Sequence, residues 1–110
     1  MSRRLLAIAF AAGILSASAQ ADLSQLVVFP NPAHVTRGQN TITFQNIAGG
    51  EIKIYNAAGR LVVDKTIDPS TTSFVWDLKN DDGRDVASGI YVYRLQSNGD
   101  ERTGKIGIIR

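Results

Sequence analysis

The chain has 110 residues, 44% hydrophobic and 20% charged, a balance that suits one globular domain and excludes a disordered segment. It has no cysteine and a single histidine, which excludes disulfides, thiolate chemistry and multi-histidine metal sites. The formal charge of +2 hints at an acidic partner until the positions of the charges are considered.

Residues 1–21 read as a cleavable signal peptide. Arg3 and Arg4 supply a basic start, residues 5–15 are uncharged and rich in Leu, Ile and Ala, and Ala19-Gln20-Ala21 fits a small-x-small cleavage pattern. The apolar stretch is shorter than the roughly 20 residues a membrane span needs. Cleavage before Asp22 removes two arginines, so Lys and Arg fall from 12 to 10, equal to the 10 Asp and Glu, and the mature chain is neutral. The expected organisation is a leader, 1–21, and one domain, 22–110.

The rest of the chain alternates like strands, with turn residues at roughly eight-to-twelve-residue spacing. Residues 26–29 form the first run, ended by Pro30-Asn31-Pro32, because proline removes a ladder donor. Residues 41–47 alternate, with Ile42 and Phe44 on one face. Residues 51–55 and 60–67 flank Asn56-Ala57-Ala58-Gly59 and predict a hairpin, Gly59 supplying the positive φ of a tight turn. Residues 73–78 are a fifth run, followed by a polar loop with Gly83 as its flexible point. Residues 90–96 carry bulk on both faces, which predicts a central strand. Ser97-Asn98-Gly99-Asp100 is a hairpin turn into the last run, 102–110.

About seven strands of this size predict an all-β fold, an immunoglobulin-like antiparallel β-sandwich. The expected core comprises Phe29, Ile42, Phe44, Ile52, Ile54, Leu61 and Val63 from the first half, with Phe74, Trp76, Ile90, Val92, Ile106 and Ile108 from the second. No internal repeat, heptad or low-complexity tract is evident.

The sequence offers little chemistry. The loop from Asp77 to Asp85 is the one local group of oxygen ligands, but its spacing fails a calcium-binding EF-hand loop, and it reads as a solvated loop with side chain-to-backbone bonds around a turn. His34 has no neighbouring metal ligand. The serines lie in turns without a nucleophile-elbow pattern, and no glycine-rich phosphate loop is present. Tyr55, Tyr91, Tyr93 and Trp76 fall at strand positions, where packing is expected. Basic residues are interleaved with acids, so no nucleic-acid stripe forms. No catalytic, cofactor or metal site is expected.

Four motifs in order resemble the type IX secretion system C-terminal sorting domain. Phe29-Pro30-Asn31-Pro32 resembles its "(Y/F)-P-N-P" opening. The hairpin Ile52-Lys53-Ile54-Tyr55-Asn56-Ala57-Ala58-Gly59-Arg60-Leu61-Val62 resembles "v-x-I-Y-(N/D)-x-x-G-(R/Q)-x-V". Gly89-Ile90-Tyr91-Val92-Tyr93-Arg94-Leu95 resembles the "G-(I/V)-Y-x-x-(R/K)-(L/V)" strand. Lys105-Ile106-Gly107-Ile108-Ile109-Arg110 resembles the closing basic-apolar strand, the sorting C-terminus. The segment from Trp76 through Gly83 to Gly89 is also similar to the immunoglobulin-like domain of flagellar hook-capping proteins, whose pattern has glycine where this chain has Leu78.

The resemblance implies a non-enzymatic tag. It implies Sec export and signal peptidase processing, then recognition in the periplasm by the outer-membrane secretion machinery. A sortase-like surface peptidase then removes the tag, and the cargo is released or attached to lipopolysaccharide. The implied location is the periplasm in transit, then the cell surface or exterior, with no nucleic-acid partner, no cofactor and no transmembrane segment in the mature chain. The terminal strand would offer its edge to a receptor by strand addition. Such tags follow a passenger. Here only residues 22–25 separate the expected cleavage site from the first strand, which leaves open a passengerless secreted protein, a shortened gene, or a stand-alone immunoglobulin-like structural module of the hook-capping or cell-surface kind.

Overall fold

The computed structural model describes residues 23–110; the leader expected at 1–21 lies outside the described residues. Eight strands run in chain order: β1 Val27–Phe29, β2 Ala33–His34, β3 Ile42–Gln45, β4 Gly50–Tyr55, β5 Leu61–Ile67, β6 Ser73–Trp76, β7 Gly89–Ser97 and β8 Asp100–Ile109. A three-stranded sheet has the order β1-β3-β6, and a five-stranded sheet has the order β2-β8-β7-β4-β5. Every pairing is antiparallel except the short parallel contact of β2 with β8. The two sheets form the expected immunoglobulin-like sandwich, and β7 is central, as its bulk on both faces predicts. The element the sequence does not announce is β2, two residues tucked against the C-terminal strand.

The turns follow their residues. Asn98 and Gly99 have φ of 52° and 80°, the left-handed pair that suits the right-handed twist of a two-residue hairpin. The hairpin at Asn56 is held by the Asn56 carboxamide, whose Oδ1 accepts the N–H of Ala58 at 3.0 Å and of Arg60 at 2.9 Å.

The core lies between the sheets. Ile42, Phe44 and Trp76 of the smaller sheet face Ile52, Ile54, Leu95 and Ile106 of the larger. Two edge-to-face aromatic pairs bridge the layers, Phe44 to Tyr93 at 5.1 Å and Trp76 to Tyr91 at 5.9 Å between ring centroids, a favoured geometry for ring quadrupoles. In the second pair the polar tips are satisfied: Trp76 Nε1 donates to the Lys79 carbonyl at 2.8 Å and the Tyr91 hydroxyl to the Ala87 carbonyl at 2.7 Å.

Four residues expected inside face outward: Phe29, Leu61 and Ile90, 43%, 50% and 53% exposed, and half-buried Val92. Phe29 is outward because Val28 pairs with buried Phe44, and alternate residues face opposite ways. Leu61 is turned out by a bulge. Ile54 pairs with Val63 but the next residue, Tyr55, pairs with Leu61, so the extra residue Val62 rotates Leu61 to the solvent face. On β7 the inner face is Tyr91, Tyr93 and Leu95, fixed by Tyr91 opposite buried Ile106 and Tyr93 opposite buried Ile54. That register puts Ile90 and half-buried Val92 on the outer face. Phe74 is half-buried and packs against the core.

Candidate functional site

The C-terminal strand β8 buries Ile106 and Ile108 and turns Lys105, Gly107 and Ile109 outward. One edge pairs along its length with β7. The other is closed by the Pro30-Asn31-Pro32 segment, in which both prolyl bonds are cis. Asn31 acts as a one-residue strand. Its Nδ2 donates to the Lys105 carbonyl at 2.9 Å and its Oδ1 accepts the Gly107 N–H at 3.0 Å. Beyond it, Ala33 and His34 pair with Ile108 and Ile109. The last residue is tethered as well: Arg110 N–H donates to Ser88 Oγ at 2.8 Å, its Nε donates to the Val86 carbonyl at 2.6 Å, and its Nη2 lies 3.9 Å from Asp85 Oδ1. The terminal strand end expected to be free for strand addition, Lys105 to Arg110, therefore has its edge occupied and its last residue tethered.

The opposite edge of this sheet, β5, is closed by the same device. Asp81 donates its N–H to the Val62 carbonyl at 3.1 Å, and its Oδ2 accepts the Asp64 N–H at 3.0 Å. Each outer edge is thus blunted by a single Asx residue bridging alternate residues of the strand, which suppresses edge-to-edge association.

With the β8 edge occupied from Lys105 to Ile109, this end of the strand presents its outer face. A groove of about 440 Å³ runs along Asn31, Pro32, Gly89, Ile90, Gly107 and Ile109. Its floor is Gly107, where an added Cβ would lie 3.1 Å from Pro32 Cβ and press that ring outward by a few tenths of an ångström. Ile90 and Ile109, 53% and 44% exposed, form its apolar walls. Beside it the register aligns Lys105, Val92, Tyr55 and Leu61 across four strands. The structure therefore splits the sequence-predicted motif residues. Pro32, Tyr55, Gly89, Lys105, Gly107 and Ile109 meet on the outer face, with Pro30 leading into the clasp and Arg110 anchoring the strand end. Ile54, Trp76, Tyr91, Ile106 and Ile108 are core. Gly59 and Gly83 form turns, at φ of 83° and 81°.

Those two turns reveal a repeat that the sequence reading misses. Ile54-Tyr55-Asn56-Ala57-Ala58-Gly59-Arg60-Leu61-Val62 and Leu78-Lys79-Asn80-Asp81-Asp82-Gly83-Arg84-Asp85-Val86 share only an Asn-x-x-Gly-Arg-x-Val core. Their geometry is the same. Asn80 Oδ1 accepts from Asp82 and Arg84 N–H at 2.9 and 3.0 Å, as Asn56 does from Ala58 and Arg60. In each, Gly N–H donates to the Asn carbonyl at 2.9 Å, and the flanking residues pair, Tyr55 with Leu61 and Lys79 with Asp85. Leu78, where the hook-capping pattern has glycine, has a φ of 62° and is 1% exposed. Burial of its side chain offsets a backbone conformation that costs an L-residue about 1–2 kcal/mol.

The acidic loop is spent on its own fold. Asp77 Oδ1 accepts the Lys79 N–H at 3.2 Å, and Asp81 lies 3.4 Å from Lys65 Nζ. Asp85 accepts from Lys79 Nζ at 2.8 Å, and this ammonium holds the carboxyl below its ordinary range. Among the described residues no group of three or more His, Cys, Asp or Glu is placed to hold a metal ion.

A sequence model of the family described as "Secretion system C-terminal sorting domain" matches residues 27–109. No curated protein matches the chain by sequence. Among solved structures it is similar to PorZ, described as an essential surface component of the type-IX secretion system of Porphyromonas gingivalis, at 27% identity and a TM-score of 0.67 over 82% of this chain and 12% of that one. It shares its fold with dimeric latent PorU of the same organism, at 24% identity and a TM-score of 0.54 over 76% of this chain and 9% of that one. The chain thus corresponds to a small part of each of these larger proteins.

Proposed function

The chain belongs to the secretion system C-terminal sorting domain family, and from that premise we propose that it is a non-enzymatic tag read by the outer-membrane machinery of type IX secretion. The family and the likeness to PorZ support a role in that system and export to the cell surface or exterior. No helix among the described residues is long and apolar enough to cross a membrane.

In this reading the leader, 1–21, directs Sec export and is removed by signal peptidase, the domain 22–110 folds in the periplasm, and the receptor recognises the folded C-terminal end. The observation that carries this is the edge of β8 at its C-terminal end, where Asn31, Ala33 and His34 occupy the backbone groups of Lys105 to Ile109. Recognition then falls to the groove of Pro32, Ile90, Gly107 and Ile109. Apolar side chains flanking a glycine floor suit a partner that inserts a hydrophobic anchor.

The test fuses the domain behind a reporter carrying a signal peptide in a type IX-competent host. Deletion of residues 105–110 should abolish surface delivery and leave the reporter in the periplasm. Unchanged delivery would sink the proposal.

A further inference from the structure

Between the two repeated turns lies a cavity of about 310 Å³, near the lower end of ligand-pocket sizes, roughly 300–1,000 Å³. Asn56, Asn80 and Arg60 supply its polar lining, and Leu61, Val86 and Tyr91 its apolar walls. The hydrogen-bond inventory of this lining is one-sided. The acceptors are engaged: Asn56 Oδ1 and Asn80 Oδ1 each take two backbone N–H groups. The Val62 carbonyl takes the Asp81 N–H, that of Val86 takes Arg110 Nε, and that of Ala87 takes the Tyr91 hydroxyl. What remains on Asn56, Asn80 and Arg60 is donors, and the Tyr91 hydroxyl, which donates to Ala87, keeps its oxygen as an acceptor. A carboxamide whose oxygen is committed has only its two Nδ2 hydrogens left to offer. The Arg60 guanidinium makes no hydrogen bond or ion pair among the described residues. No carboxylate lines the cavity.

We propose that this cavity binds a carboxylate of a polypeptide partner. The planar guanidinium of Arg60 would take both oxygens in a fork, the Asn56 and Asn80 Nδ2 groups would complete the shell, and aliphatic neighbours of the acid would rest on Leu61, Val86 and Tyr91. The repeat explains why the site exists: each turn consumes its asparagine's oxygen and leaves the amide nitrogen over, and the Asp81–Val62 bond sets the two turns side by side. The carboxylate can come from an acidic side chain or from a chain terminus.

The experiment titrates the ¹⁵N-labelled full chain with three acetylated peptides: Leu-Glu-Leu amide, Leu-Leu with a free C-terminus, and Leu-Gln-Leu amide. The Asn56 and Asn80 side-chain amide signals should shift saturably with one or both acids and not with the glutamine peptide, and the tighter acid identifies the source. The double variant Asn56→Asp with Asn80→Asp keeps the acceptor each turn needs and replaces the donors by anionic oxygen. Read on the Val86 and Tyr91 backbone signals, which are followed in the wild type as well, it should weaken binding by roughly tenfold or more, while in the absence of peptide the Ala58 and Arg60 backbone signals stay in place. Arg60→Gln, an exposed change outside the turn's bonds, should weaken it similarly. The proposal is overturned by the absence of saturable shifts with both acids. It is equally overturned by equal response to the glutamine peptide or to inorganic phosphate, or by unchanged affinity in Arg60→Gln.

Discussion

On β7, Tyr91 and Leu95 are buried between the sheets while Ile90, the neighbour of Tyr91, is 53% exposed. The two faces use similar apolar chemistry and differ in what covers them. The inner face meets the smaller sheet through ring contacts such as Trp76 to Tyr91. At Ile90 the outer face borders a groove lined by Pro32 and the strand end. Strand alternation thus divides one motif, Gly89-Ile90-Tyr91, into a folding half and a presenting half. In the proposed function both are needed, because a receptor that reads a shaped groove depends on a core that holds the shape.

Breaking the inner half should have the largest effect. Leu95→Ala, at a fully buried site, should lower unfolding stability by about 2–5 kcal/mol in chemical denaturation. The two edge clasps come next and sharpen the contrast. Asn31 needs both a donor and an acceptor in its side chain, so Asn31→Asp loses the bond to the Lys105 carbonyl and sets a negative oxygen there, costing about 1–2 kcal/mol. Asp81 donates through its backbone and needs only an acceptor. Asp81→Asn keeps that and gives up the exposed Lys65 pair, a change within about 1 kcal/mol. Equal losses in the two variants would show that the clasps are not built as described.

A smaller effect sits at the far end of β8. Asp100 Oδ2 accepts the Leu23 N–H and its Oδ1 the Glu101 N–H, both at 2.8 Å, and these bonds, Leu23 first, hold its carboxyl below the ordinary 3.8. The unfolded chain then binds that proton more readily than the folded one. The stabilisation is complete above the ordinary aspartate value and is lost as pH falls through the lower, folded value. Melting temperature should therefore drop on acidification below that range, and less steeply in Asp100→Asn.

Much of this was legible in the sequence. The hairpin at Asn56, the Pro30-Asn31-Pro32 stop and the central position of β7 all follow from local residue chemistry. The exposure of Leu61 was not, because a one-residue bulge reverses facing without any mark in composition. Nor was the clasp: Asn31 and Gly107 are 76 residues apart, and nothing local says that an asparagine after a strand will stand in for a neighbouring strand. The paired turns escaped notice because their shared residues are those that bond the backbone, while the positions between them, Ala57-Ala58 and Asp81-Asp82, differ in charge.

Whether the receptor reads the groove on the outer face is decided by one paired measurement. Ile90→Thr with Ile109→Thr keeps β-branched side chains in both strands and removes the apolar walls at exposed positions, where stability should change by less than about 1 kcal/mol per site. Surface delivery of the fused reporter and melting temperature are then recorded on the same variant. The expected result is a near-native melting temperature with delivery lost. Full delivery by the folded double variant would contradict it and return recognition to another part of the domain.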